Sequence, residues 1–262
     1  MRRNLLLAQT LCASPVNAVI LMIAGAREAA AFTMPPGVDC LTLPALSKNG
    51  EGQYGCRHMP ISLQQIVRLR SGAIKAAVEA FEPDVFIVDN VPRGAVRELD
   101  ATLTAIGARG RTRLVLGLRD VLDDPAVVRA EWRRAANEQA ILDYYDAIWV
   151  YGDRRVCDPV VEYGFTPEVA KRVRFAGYLD QRERLAVAND ADAALLGGLG
   201  FPPGRLVLGA VGGGQDGARL ADAFTQAELP PDTNALLLTG PFMPPGMRQQ
   251  ILRRADGNAR LR

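Results

Sequence analysis

Residues 205–224 read RLVLGAVGGGQDGARLADAF, and this stretch decides the fold. Leu206, Val207, Leu208 and Val211 form an apolar run with the character of a strand. Gly212, Gly213, Gly214, Gln215, Asp216 and Gly217 follow as a glycine-rich turn. Ala218, Leu220, Ala221 and Phe224 then fall on the apolar side of a helix. Glycine lets a backbone turn sharply and come close to a ligand. The helix behind the turn offers free N–H groups and a partial positive charge. Strand, glycine turn and helix in that order make a seat for a phosphate or diphosphate.

The same alternation extends outward from this stretch. Helices are expected over 3–12, 27–32, 62–81, 94–108 and 126–144, the last in one or two pieces. Strands are expected over 18–23, 39–43, 84–89, 113–118, 147–150 and 173–176, and a loop over 44–60. Ser62 is a suitable N-cap for the third helix, and Pro83 ends it. Short apolar strands separated by helical stretches indicate a parallel sheet covered on both faces. After the glycine turn come a helix, a strand over 234–238 and a helix over 244–254. The expected organisation is an α/β chain with a Rossmann-like domain over 1–180, a linker over 181–203 and a partial Rossmann-like domain over 204–262. The first domain opens on a helix where this fold opens on a strand, and two strands make a small second domain.

Composition narrows the function. The chain is 48% hydrophobic and 23% charged, as a globular protein is, and its net charge of +2 gives no nucleic-acid footprint. Cys12, Cys40, Cys56 and Cys157 lack metal or redox spacing and read as reduced thiols of a cytoplasmic protein. Met1, Arg2 and Arg3 followed by LLLAQTLCAS imitate a signal peptide, but Gln9 and Thr10 interrupt the apolar run. Neither this run nor residues 17–24 approaches the roughly 20 apolar residues of a membrane span. His58 is the single histidine, which weakens a histidine metal site or a Ser-His-Asp triad; it reads as a loop histidine. Asp190-Ala191-Asp192 matches a D-x-D pattern, but its Ala-rich setting suggests a solvated helix face rather than a metal site.

In open α/β sheets ligands bind beyond the carboxyl ends of the strands. That rule nominates Asp89, Asn90, Pro92, Arg93, Gly94, Arg119, Asp120, Tyr151, Gly152, Asp153, Tyr178, Leu179, Asp180 and the Gly212–Gly217 loop, together with Thr239, Gly240 and Pro241 after the last strand. Gly212, Gly214 and Gly217 also match G-x-G-x-x-G. A dinucleotide site wants an acidic residue at the end of the following strand, whereas that strand ends Leu238-Thr239-Gly240.

Residues 212–224, GGGQDGARLADAF, resemble the second-domain donor loop of GT-B glycosyltransferases, distantly the peptidoglycan-precursor N-acetylglucosaminyltransferases. A bacterial family of predicted GT-B glycosyltransferases is more similar. The segments that carry this resemblance are RRNLLLAQTL (2–11), LPALSKNGEGQY (43–54), ISLQQIVRLRSGAI (61–74), DVFIVDNVPRGAVREL (84–99), LVLGLRDVLDDP (114–125), YDAIWVYGD (145–153), VRFAGYLDQRERL (173–185) and LLLTGPFMP (236–244).

The resemblance implies a GT-B-like fold, a nucleotide-sugar substrate of the UDP-sugar kind, and chemistry without a metal or other cofactor. It places Gly212, Gly213, Gly214, Gln215, Asp216, Gly217, Thr239 and Gly240 on the donor. It places Asp89, Asn90, Arg93, Arg119, Asp120 and Asp153 on the acceptor side, with Asp89 and Asp120 as candidate bases. Relatives carry a strand and a glycine-rich turn with a histidine ahead of the Arg2–Asn4 segment, and a further glycine-rich motif after the point where this sequence stops. The expectation is therefore a fragment, truncated at both ends, that does not turn over alone. A GT-B-fold nucleotide-sugar epimerase and a non-catalytic binding protein are the alternatives. Peripheral membrane contact is a further expectation, around Tyr54 to Met59.

Overall fold

The computed structural model describes residues 2–26, 29, 32–48, 53–182, 190–214 and 217–262. The chain divides into two compact units, Met1–Gln181 and Arg182–Arg262.

The first unit opens with helix α1 (Arg2–Ala13), then strands β1 (Ile20–Ala24) and β2 (Val38–Thr42), which pair in parallel. The expected helix over 27–32 lies largely outside the described residues. The expected loop over 44–60 instead contains an antiparallel pair, β3 (Leu46–Lys48) and β4 (Tyr54–Cys56). Three residues a side are too few to show a period-2 pattern, so the sequence reading missed it.

Helix α2 (Leu63–Phe81) starts at a reciprocal cap. Ser62 accepts from the Gln65 amide at 3.2 Å, and the Gln65 side chain accepts from the Ser62 amide at 2.9 Å. It ends at Glu82, whose φ of 48° is left-handed, directly before Pro83. Then come β5 (Val85–Asp89), α3 (Asp100–Arg109), β6 (Arg113–Arg119), α4 (Pro125–Ala135), α5 (Asn137–Tyr144), β7 (Ala147–Tyr151), two short helices α6 (Pro159–Tyr163) and α7 (Pro167–Ala170), and β8 (Val173–Phe175).

Helix α3 begins six residues later than expected, because 94–99 is a turn in which Gly94 and Arg97 take φ of 78° and 60°. The expected helix over 126–144 is two helices, broken at Ala136 with φ of 50°. Strands β5 to β8 form one parallel sheet in chain order. Its middle carries the core. Leu116 and Leu118 of β6 and Ile148 and Val150 of β7 are fully buried, as strands covered on both faces must be. Leu103, Ile141 and Val169 cover them from the helices.

In the second unit, helix α8 (Asp190–Gly198) lies within the expected linker. Strand β9 (Arg205–Ala210) pairs in parallel with β10 (Thr233–Leu238), and α9 (Ala218–Gln226) and α10 (Pro245–Asp256) complete the unit. The far edge of β10 meets the chain again at Leu261, through a parallel bridge with Ala235. Ala221, Leu237, Met243 and Ile251 form the core of this unit. Leu206 and Leu208 on the opposite face remain 46% and 58% exposed.

Candidate functional site

In the second unit the glycine turn is built against the end of β10. The Val211 amide donates to Leu238 at 3.2 Å, and the Gly214 amide turns back to Val211 at 2.9 Å. Gly214 has φ of 86°, and any side chain there would run into the Thr239 carbonyl oxygen. Gly240, with φ of 73°, faces Gly212 and Gly213 equally closely, at 2.5 Å from an added Cβ to the Gly213 carbonyl carbon. Gly217 abuts the Val211 side chain in the same way. The Phe242 amide donates to Gly213 at 2.8 Å, and the Arg248 guanidinium donates to the Gly240 carbonyl. The two strand-end loops thus interlock backbone against backbone, and only glycine fits the contact.

Gly212 differs. Its φ is 56°, but nothing lies within 4 Å of an added Cβ. Gly212 and Gly213 are exposed, and their amides donate to no described residue. Helix α9 follows from Gly217 with no side chain capping its first N–H groups. Exposed unpaired amides at an uncapped helix start are the chemistry of an anion seat. Gln215 and Asp216 lie outside the described residues.

In the first unit the strand ends hold a polar cluster that the sequence reading recognised only in part. Asp89, at the end of β5, takes an ion pair from Arg3 and a 3.4 Å hydrogen bond from Asn4 of α1. The Arg3 guanidinium also sits over the Tyr151 ring, 5.3 Å from its centre. Tyr151 is buried, and burial pushes its phenol up to about 12, with Asp89 adding to the shift and Arg3 opposing it. Asn90 takes the left-handed region at φ of 69° and donates its amide to Gly117 at 2.8 Å. Among the described residues, Arg3 Nε, Asn90 Oδ1 and the Tyr151 hydroxyl are buried without a hydrogen-bond partner. Such groups are costly to bury, and native proteins leave few of them.

Gly117 explains how Tyr151 fits. A side chain at Gly117 would strike the Tyr151 hydroxyl and come within 2.9 Å of ring carbon Cε2. The signal was present in the sequence as a single glycine inside an apolar strand, which marks a close approach. Tyr151 closes the apolar run of its strand and so falls under the strand-end rule, whereas Arg3, an arginine on a helix, carried no such signal.

The other nominated residues lie elsewhere on the same strand-end side. Asp120 accepts a 2.7 Å hydrogen bond from the Tyr178 hydroxyl, which raises the tyrosine's pKa. Gly152 leaves just enough room for Asp120, 2.5 Å from an added Cβ. Asp153 is bound by Arg155 at 2.6 Å, which holds its carboxyl down at about 2. Arg93 forks onto both oxygens of Asp100 at 2.6 Å, a pair that braces the turn ahead of α3. Arg119 is exposed and pairs with no described residue. His58 is exposed after β4, and Cys12, Cys40, Cys56 and Cys157 are free thiols. Among the described residues no cluster of three or more His, Cys, Asp or Glu is placed to hold a metal ion, and no helix is long and apolar enough to cross a membrane. The side chains of Asp190 and Asp192 lie outside the described residues.

No protein-family model matches the sequence, and no curated protein is significantly similar to it. Solved structures are similar in fold. A putative UDP-N-acetylglucosamine 2-epimerase from Listeria monocytogenes superposes over 98% of this chain and 63% of its own, with a TM-score of 0.55 and 16% identity. The Anabaena protein HepE, solved with UDP and glucose, superposes over 92% of this chain and 60% of its own, with a TM-score of 0.53 and 16% identity. The chain therefore spans about three-fifths of the length of either neighbour. The likeness establishes the architecture: this is an α/β chain of parallel-sheet, Rossmann-like units with a GT-B-like fold.

Proposed function

We propose that this chain binds the diphosphate of a UDP-sugar on the Gly212–Gly217 loop, and that it serves an enzyme that isomerises the sugar. The observation that carries the first half is the interlock of that loop with Thr239 and Gly240, which presents the exposed amides of Gly212 and Gly213 beside the uncapped start of α9. Fixed N–H groups there stabilise a diphosphate both as bound ligand and as leaving group. Gln215, Asp216, Gly217, Thr239 and Gly240 belong to the same proposed seat.

The reaction class rests on fold likeness to the Listeria protein, whose description is that of a sugar-nucleotide epimerase. Without a hydride acceptor, inverting a carbon that bears hydrogen proceeds by loss and return of a proton, which calls for a placed acid–base group. Asp89 and Asp120 at the strand ends of the first unit are our candidates, with Asn90, Arg119 and Asp153 nominated beside them in the sequence; Arg93 is taken by Asp100. Glycosyl transfer is the second reading. The resemblance of residues 212–224 to a glycosyltransferase donor loop favours it, and it would use the same diphosphate seat.

Gly212→Asp tests the seat. The open space at Gly212 accepts a side chain, and aspartate tolerates the left-handed region. The carboxylate then faces the diphosphate. UDP affinity by calorimetry is expected to fall at least about tenfold, equivalent to about 1.4 kcal/mol, while Gly212→Asn falls less. Equal affinity in Gly212→Asp and the parent refutes the seat. Radiolabelled UDP-N-acetylglucosamine then separates the two reactions: an isomerised sugar nucleotide supports epimerisation, and label on an acceptor supports transfer.

A further inference from the structure

The first unit carries a second cleft, built by α4, α5 and the α6–α7 connection, that shares no lining residue with the strand-end cluster. Its volume is about 370 Å³, within the range of small-molecule sites. Arg129, Trp132, Arg133 and Ala136 stand at i, i+3, i+4 and i+7, so they share one stripe of α4 and its C-terminal end. Val128 and Tyr163, both buried, lie beneath them. The Tyr163 hydroxyl is already engaged, accepting from the Leu122 amide at 2.8 Å, so Tyr163 brings only its ring to the cleft. Trp132 is stacked on Phe165, with ring centres 4.7 Å apart and planes 12° from parallel. The indole is thus held in place while it borders the cleft. Among the described residues no guanidinium lies over it.

The charges of the cleft do not balance. Arg129 and Arg133 are like charges four residues apart, which repel along a helix. Arg129 donates Nη1 to the Glu162 carbonyl at 2.9 Å, and the exposed Arg133 guanidinium pairs with no described residue. Among the described residues no carboxylate is paired with either arginine; on α4 itself, Glu131 faces Arg134 instead, at 4.0 Å. Glu138 is the acid in the lining, and its carboxylate accepts from the Thr166 amide at 3.2 Å. Helix α5 starts at the Ala136 break with no side-chain cap, so its first N–H groups add positive character to the same wall. The wall at Gly164 is bare: its φ is 67°, and nothing lies within 4 Å of an added Cβ.

We propose that this cleft binds a flat aromatic anion, with its ring against Trp132 and its carboxylate or phosphate on the Arg129–Arg133 pair. An aromatic ring stacks on the braced indole, and a guanidinium fork matches the paired oxygens of an acid group. Either half alone answers only part of the lining. A neutral ring leaves two like charges uncompensated, and a small inorganic ion leaves Trp132, Val128 and Tyr163 against water. This site is separate from the diphosphate seat, which belongs to the second unit, and does not depend on it.

Two-dimensional NMR of the nitrogen-labelled 262-residue chain tests this, by titration with naphthoate and with naphthyl phosphate. The Trp132 indole N–H and the Gln139 and Gly164 amides are expected to move together, while the Asn90 and Gly212 amides stay in place. The tighter of the two probes names the acid group. Naphthylmethanol, which has the ring without the charge, and acetate, which has the charge without the ring, should each bind at least about tenfold more weakly. Arg133→Ala should weaken the better probe at least about fivefold, with Arg133→Lys in between, and an exposed side chain is replaced without risk to the fold. Gly164→Asp sets a carboxylate in the bare wall, at a left-handed position that aspartate tolerates, and should weaken binding more than Gly164→Asn does. The proposal is overturned if neither probe moves the three cleft resonances, or if movement is confined to Asn90 or Gly212. It is equally overturned if naphthylmethanol binds as well as naphthoate, or if Arg133→Ala and Gly164→Asp both leave the affinity unchanged.

Discussion

Replacing Arg70 by methionine tests how the first unit is held together. Arg70 lies on α2 and is 5% exposed; Glu98, in the turn between β5 and α3, is 6% exposed. The guanidinium places Nη2 at 2.9 Å from one carboxylate oxygen, Nε on the other, and Nη1 on the Pro44 carbonyl. Gly25 borders it, with an added Cβ only 3.1 Å from Nη2, and Gly94 borders Glu98 at 2.8 Å. One side chain therefore joins α2 to the β2–β3 connection and to the turn after β5. Removing one partner of a buried pair leaves the other charge uncompensated and costs roughly 3–5 kcal/mol. For a unit of this size each kcal/mol moves the melting temperature by about 2–4 °C, so Arg70→Met should lower it by roughly 6–20 °C. Both tryptophans, Trp132 and Trp149, lie in the first unit, so tryptophan fluorescence during thermal unfolding reads this unit alone. The double variant Arg70→Met with Glu98→Leu removes both charges and should recover roughly 2 kcal/mol of the loss. A remainder of about 1–3 kcal/mol is expected from the orphaned Pro44 carbonyl. A shift below about 2 °C in the single variant, less than one kcal/mol for this unit, would refute the reasoning. So would a double variant no more stable than the single.

Gly214→Ala combines a left-handed φ with a collision against Thr239, and should destabilise the second unit by roughly 2–5 kcal/mol. Gly212→Ala, with open space around it, should cost about 1–2 kcal/mol; exchange protection in β10 measures both, and equal effects would contradict the interlock. Gly117→Ala should cost about 1–3 kcal/mol by displacing Tyr151, and less on a Tyr151→Phe background, as a double-mutant cycle in urea will show. Tyr151 has a folded pKa above its unfolded value, about 12 against 10, so its contribution is complete below pH 10 and is lost as pH rises to about 12. Urea denaturation at about pH 9 and pH 11 should therefore show a smaller alkaline loss in Tyr151→Phe than in the parent. Equal losses would mean that the phenol is not held in its neutral form.

The strand ends were legible because each buried strand here is a short apolar run closed by Asp, Asn or Gly. Asp89, Asn90, Asp120 and the Gly212–Gly217 loop all followed from that punctuation. Arg93 shows where punctuation misleads. It stands beside a strand end yet is committed to Asp100, since the turn over 94–99 brings the two together. The pairing of β3 with β4 was hidden by its length, and the break at Ala136 shows only as a left-handed φ in an Ala-rich run.

The sequence by itself determined the order of the longer elements, the parallel α/β class and the glycine turn, because hydrophobic period and glycine content are local properties of the chain; the short β3, β4, α6 and α7 did not show in it. Only the tertiary structure brought Arg3 to Asp89 across 86 residues, placed Tyr151 against Gly117, and wedged Gly214 behind Thr239. Those contacts depend on which strands become neighbours and in what register, and a one-residue change of register would turn every side chain of a strand to the other face.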